Sequence, residues 1–363
     1  MDREALRKRI EEGEVVSELD LSGRDLAGID LSGGIFEDVS FASANLAGVK
    51  VREAIFHRCD LAGANLKGLD FHLGTAMDCT LAGAALADAS LVGASFSHVD
   101  LESADLTGAD LSSAGIAHAS LKNTRLVRAN LTDATLFQAE SGGADFSQAN
   151  LTKAVLFRQD LSQAILTGTT LVEAILVEVR MGPKDLRRMD FSRAQLTNAD
   201  LHGCDLSGAT LTQCSFKGAD LTGARLDGAT AHMAVFVEAT LMNASLAQAD
   251  LSQALFVDAR AGAANLSGAR LEMSVWHRAS CPGTRFCRAD LSYADLSHAD
   301  VSFADFSEAT LARARLHRVT DKGTIWPLSK ALAHGDDKEL KEAEDWQANV
   351  LGRPAGGSRT PHA

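Results

Sequence analysis

Aromatic side chains and prolines are scarce in this sequence: aromatics are 5% of its 363 residues, with a single tyrosine, and there are five prolines. A core has to be assembled mainly from aliphatic and small residues. Positive charge is also in deficit, and a formal net charge of −13 argues against direct nucleic-acid binding, which needs clustered Lys and Arg. Long hydrophobic runs are missing too, none approaching the roughly 18 apolar residues of a membrane span. Residues 1–16, MDREALRKRIEEGEVV, are charged where a signal peptide needs an apolar stretch. These absences lead us to expect a soluble, cytoplasmic protein. Catalytic signatures are equally thin. Glycines come at turn spacing rather than before a helix, no CxxC occurs, and no strained nucleophile turn is signalled. Neither an enzyme nor a cofactor is expected.

What the sequence has in abundance is one five-residue word. Stepping by five from Leu21 to Leu316, the centre is Leu, Phe, Ile, Val or Met at 54 of 60 positions, the exceptions being Ala76, Ser141, Ala231, Ala261, Trp276 and Cys281. Two residues before the centre (i−2) sits a small residue, most often Ala, as at Ala104, Ala109 and Ala114. The word is A-(D/N)-L-(S/T)-G, and its frame never slips. A period of five fits neither the 3.6 of an α-helix nor the 2 of a continuous strand. Positions i−2 and i point inward, i−1 points outward, and i+1 and i+2 turn a corner, with Gly at i+2 in words such as those ending at Gly23, Gly108 and Gly223. Each word is one side of a coil, and only Ala-sized residues let neighbouring walls approach.

The tandem word over about residues 19–318 resembles the pentapeptide-repeat family. The resemblance implies an all-β chain: a right-handed quadrilateral parallel β-helix with 20 residues per coil, about 15 coils and, at roughly 4.8 Å per coil, a rod about 70 Å long. The expected organisation is a capping helix at 1–14, the β-helix at 15–320, a helical cap at 321–351 and a disordered tail at 352–363.

Refolding the sequence at 20 residues per coil gives four faces. Three carry polar outward residues, among them Asp100, Asp160, Asp200 and Asp220. The fourth carries Ile35, Ile55, Val155, Ile175, Val235, Leu255 and Val275 at i−1, and Phe137, Phe157, Val177, Val237 and Val257 at i+1. Apolar residues on both sides of a strand require a cover or leave a patch. Two clusters result, at 135–177 and 235–275. The tail helix, about 337–350, can fold back over the second, which leaves the first as the partner-facing site.

In VEVRMGPKDLRRMD, residues 177–190, Lys184 falls on an inward position, so a bulge or small loop is expected there, with Arg180, Lys184, Arg187 and Arg188 forming a basic spot. Asp78, His98 and His118 share the i+2 position of successive coils and form a weak metal candidate set beside an overall expectation of no metal. Cys59, Cys79, Cys204 and Cys214 replace inward alanines and are expected to be free thiols. Function therefore falls to the surface. The expected role is a protein-interaction scaffold or adaptor that docks a protein partner or a second copy on the apolar face. The resemblance adds an association with bacterial secretion machinery and, as the alternative, a DNA-mimicking binder of the type II topoisomerase DNA gyrase that confers resistance to its inhibitors.

Overall fold

The computed structural model describes residues 3–350; the tail expected at 352–363 lies outside them. The chain winds into a right-handed quadrilateral parallel β-helix. On the fourth wall, eight three-residue strands run from β1 (Val15–Ser17) through β2 (Ile35–Glu37), β3 (Ile55–His57), β4 (Thr75–Met77), β5 (Ser95–Ser97), β6 (Gly115–Ala117) and β7 (Thr135–Phe137) to β8 (Val155–Phe157). They form one parallel sheet in sequence order, each strand paired to the next at a 20-residue step. The sheet thus spans seven 20-residue turns rather than the fifteen coils expected. Beyond them, single bridges carry the same step onward, from Val155↔Ile175 to Asp305↔Ile325.

Most corners are turns closed by the N–H of i+3 donating to the carbonyl of i, as from Arg24 to Leu21 at 3.1 Å, while the corners that follow the eight strands are open bends. The i+2 residue is left-handed, which is why glycine favours that site: Gly23 has φ +63°. The Asp or Asn at i−1 has its own task. Its Oδ1 accepts the backbone N–H of i+1, as in Asp220 with Thr222 at 2.9 Å, and often the hydroxyl there as well. The word's letters are therefore turn chemistry plus core filling.

Inside, the leucines and phenylalanines form one continuous core in which Phe216, Phe236, Phe256 and Trp276 stack at 5.0, 4.8 and 3.9 Å. Burying each such side chain is worth about 1.5–3 kcal/mol. Buried threonines in the inward alanine slot find a carbonyl of the preceding coil: Thr124, Thr169 and Thr284 donate to Leu101, Phe146 and Ala261 at 2.6–2.8 Å. Trp276 Nε1 donates to Ser274 Oγ at 2.9 Å.

Helix α1 (Arg3–Glu11) covers the first coil with Leu6 fully buried. It stops at Gly13, where the N–H groups of Gly13 and Glu14 return to Ile10 and Arg9. At the other end Trp326 stacks on Phe306 at 4.7 Å, followed by a 3-10 helix (Leu328–Leu332) and helix α2 (Lys338–Val350). At Lys184 the ladder is locally bulged without an inserted residue: the bridges Ile165↔Asp185 and Thr170↔Asp190 that the 20-residue step calls for are not formed. The bridges Arg180↔Asp200 and Asp185↔Asp205 keep the 20-residue step, and the half-buried ammonium donates to the Ala164 carbonyl. Burial pushes the Lys184 pKa down.

Candidate functional site

On the fourth wall, parallel register sets Thr135, Val155 and Ile175 in one outward column and Phe137 beside Phe157 in the next. Phe137 is 38% exposed, while Val155, Phe157, Ile175 and Val177 are half-buried with their outer surfaces in solvent. The two phenyl rings lie parallel, 6.2 Å apart. Arg158 places its guanidinium 4.8 Å from the Phe157 ring centre, and its Nε donates to Glu178 at 2.6 Å. Glu173 pairs with both Lys153 and Arg193 alongside. An apolar centre with an ion-paired rim is the usual anatomy of a protein-docking patch.

The second cluster has the same construction. Val235 and Leu255 bridge in one column, Val237 and Val257 occupy the other, and Leu255 is 36% exposed. Exposed Met233 and Met273 at the adjoining corner widen it, a contribution that the face-by-face reading missed. Polar Gln195, Thr197, Ser215 and Lys217 separate the two clusters. The fold-back of the tail over 235–275 is not what the structure holds. The ion pairs of α2 with the rod go to His298, His317 and Arg318, one to two coils further on, because these residues offer its carboxylates their partners. Exposed Val15, Ile35 and Ile55 form a third apolar row, but it is one residue wide, flanked by Glu37 and Asp38, which pair with Arg58.

The histidine column takes a different part from the one its spacing suggests. His98 and His118 stack at 5.0 Å, and His118 meets Phe137 edge-on at 5.5 Å, so the rings extend the aromatic row. The Asp78 carboxylate lies 3.7 Å from His57 instead of converging on them. The basic stretch is largely neutralised: Arg180 sits between Asp160 and Asp200, at 3.4 and 4.0 Å, and Arg187 pairs with Asp185 at 2.6 Å. All six cysteines are free, and burial pushes the Cys204 thiol up to about 11 and that of Cys214 up to about 12, so both are protonated core residues. Among the described residues, no helix is long and apolar enough to cross a membrane.

The sequence profile of a family described as "Pentapeptide repeats (8 copies)" matches in overlapping stretches that together span 20–73, 77–114, 116–176, 190–272 and 277–320. No curated protein matches the sequence. Similar solved structures include QnrB1, a plasmid-mediated fluoroquinolone resistance protein, at 19% identity over 51% of this chain and 92% of that one, with a TM-score of 0.32. HetL, a pentapeptide repeat protein involved in heterocyst differentiation regulation in the cyanobacterium Nostoc, is 22% identical over 85% of this chain and 94% of its own, with a TM-score of 0.23. Rfr23 from the cyanobacterium Cyanothece is 20% identical over 46% of this chain and 94% of its own, with a TM-score of 0.16. With the five-residue word, its unbroken frame, the 20-residue parallel register and the profile match over most of the sequence all in agreement, the chain belongs to the pentapeptide-repeat family.

Proposed function

We propose that the protein is a non-enzymatic interaction scaffold, a rigid rod whose fourth wall docks a protein partner on Phe137, Val155, Phe157, Ile175 and Val177. The observation that carries this reading is the parallel, solvent-facing pair of phenyl rings set in an apolar field with a charged rim. Aromatic residues at the centre of a dry patch carry much of the binding energy in protein interfaces. The rings also give 135–177 precedence over the aliphatic 235–275 cluster, which has no aromatic pair of this kind.

Mimicry of DNA toward gyrase finds less support in the charge pattern. Asp100, Asp160, Asp200 and Asp220 each commit one carboxylate oxygen to the turn N–H two residues on. Asp160 and Asp200 also share Arg180. The acidity belongs to the turns and is interleaved with cations, whereas a duplex presents unbroken rows of anionic charge.

The test is a pull-down with Phe137→Asp and Phe157→Asp. Each variant is expected to weaken partner capture by about 30-fold, corresponding to roughly 2 kcal/mol for a central aromatic anchor, with circular dichroism unchanged. Capture equal to that of the parent chain would refute this assignment, and loss of gyrase inhibition on neutralising Asp100 and Asp220 would favour mimicry.

A further inference from the structure

Where α2 meets the rod, three side chains from distant parts of the sequence converge. His298 and His317 come from successive coils of the fourth wall, with their rings edge-to-face at 5.4 Å. Glu344 reaches down from α2 and splits its carboxylate between them, Oε1 at 3.2 Å from His298 Nε2 and Oε2 at 3.4 Å from His317 Nε2. All three donor atoms lie within 4.8 Å of one another.

We propose that His298, His317 and Glu344 form a site for Zn²⁺ or a similar first-row divalent cation, which clips α2 to the end of the rod. Two imidazoles and one carboxylate are a recognised zinc donor set, with the fourth position left to water. The spacing fits. Bonds of about 2.0–2.1 Å in a tetrahedral site put neighbouring donors about 3.3 Å apart, which is the separation between each histidine and its own carboxylate oxygen, so the carboxylate has to turn to present one oxygen to a cation held by both rings. His317 is almost fully buried, so its ring is held in place by packing.

The surroundings accommodate the charge. Arg318 contributes one positive charge, with Nε 2.7 Å from Glu344 Oε2 in an ion pair whose angle is too poor for a hydrogen bond. Against it stand Glu344 itself, Asp345 at 2.5 Å from Arg318, and Asp336 at 3.9 Å from His317 Nδ1, the last already paired with Lys341 Nζ at 2.8 Å. In the metal-free arrangement His317 Nδ1 accepts the Asp337 N–H at 3.1 Å, so the ring proton sits on Nε2 and points at Glu344. A cation on Nε2 requires that proton on Nδ1 instead, so the Asp337 N–H gives up this acceptor and Asp336 Oδ1, now 3.9 Å away, has to close in to take the proton. Loading therefore switches the His317 tautomer with no change in the ring's charge.

The experiment uses the full chain, freed of metal by chelation and titrated with Zn²⁺ by calorimetry, with Co²⁺ as an optical probe of coordination. One equivalent is expected to bind, with the absorption of four-coordinate Co²⁺ and a change of the His317 tautomer in nitrogen NMR. Outer-sphere partners typically contribute 10–100-fold to metal affinity, so Asp336→Asn should weaken binding by about that factor. Glu344→Gln and His298→Ala, both at partly exposed ligands, should weaken it by about 100-fold or more. The two ligand variants leave the buried His317 in place, so the rod is expected to stay folded by circular dichroism. Absence of stoichiometric binding, or binding that both ligand variants leave unchanged, would overturn the proposal.

Discussion

Ser274→Ala is the substitution from which the packing account stands to lose most, because by the repeat rule it ought to be harmless. Alanine occupies the same slot one coil away on either side, at Ala254 and Ala294, so the replacement fits the wall. Yet Ser274 Oγ accepts from Trp276 Nε1 at 2.9 Å and donates to the Leu271 carbonyl at 2.7 Å, and both side chains are fully buried. Removing the hydroxyl leaves an indole N–H in the core without an acceptor, at a cost of about 1–3 kcal/mol. In a Trp276→Phe background that penalty disappears, since the ring simply continues the Phe216–Phe236–Phe256 stack. The Leu271 carbonyl loses its hydroxyl partner in both backgrounds, so that effect cancels in the cycle. A double-mutant cycle followed by urea unfolding and circular dichroism should give a coupling of about 1–2 kcal/mol, read as a midpoint shift at constant slope. Equal cost of Ser274→Ala in the two backgrounds would show that the indole is paired elsewhere and refute the reasoning.

Gly74→Ala restores the commonest residue of its slot and should nevertheless destabilise. An added Cβ would come within 2.2 Å of two Phe71 ring atoms, the ring having taken the room that Gly74 and Ala76 leave. Overpacking of this kind costs about 1–3 kcal/mol, measurable as a lowered melting temperature; an unchanged or raised value would contradict the packing. Acid should also weaken the rod. Hydrogen bonds from the following serines hold Asp20, Asp30, Asp160 and Asp305 below the ordinary 3.8, and the Arg187 guanidinium holds Asp185 down at about 2. Since folding favours their ionised forms, that stability is fully present above the unfolded value and is lost as pH falls from about 4 toward 2. A melting temperature that stays flat across this range would show that the turn carboxylates contribute nothing.

The period of five made the walls, the core and the special fourth face legible, because each letter of the word has one geometric task. Features that depend on reach across coils were not. Lys184 occupies an inward slot in the sequence, but a long aliphatic stem lets its ammonium reach the Ala164 carbonyl, so the irregularity is a missing bridge to the preceding coil rather than a looped-out segment. His98 and His118 belong to one column and Phe137 and Phe157 to the next; only the shape of the corner shows that the four rings make one row. The docking of α2 rests on His298, His317 and Arg318, whose outward positions carry no mark in the repeat. Thr124, Thr169 and Thr284 look like lapses in the alanine rule until the carbonyls of the previous coil are seen.

The measurement that bears most directly on the proposed docking wall is site-specific photo-crosslinking in native lysate, with the photoreactive group at position 157 and, as the control, at Ser147 on the opposite wall. The account predicts one dominant adduct at 157 that is missing at 147 and that free rod lacking the photoreactive group competes away. Equal crosslinking from both walls, or none at 157 while the parent chain still captures its partner, would contradict it.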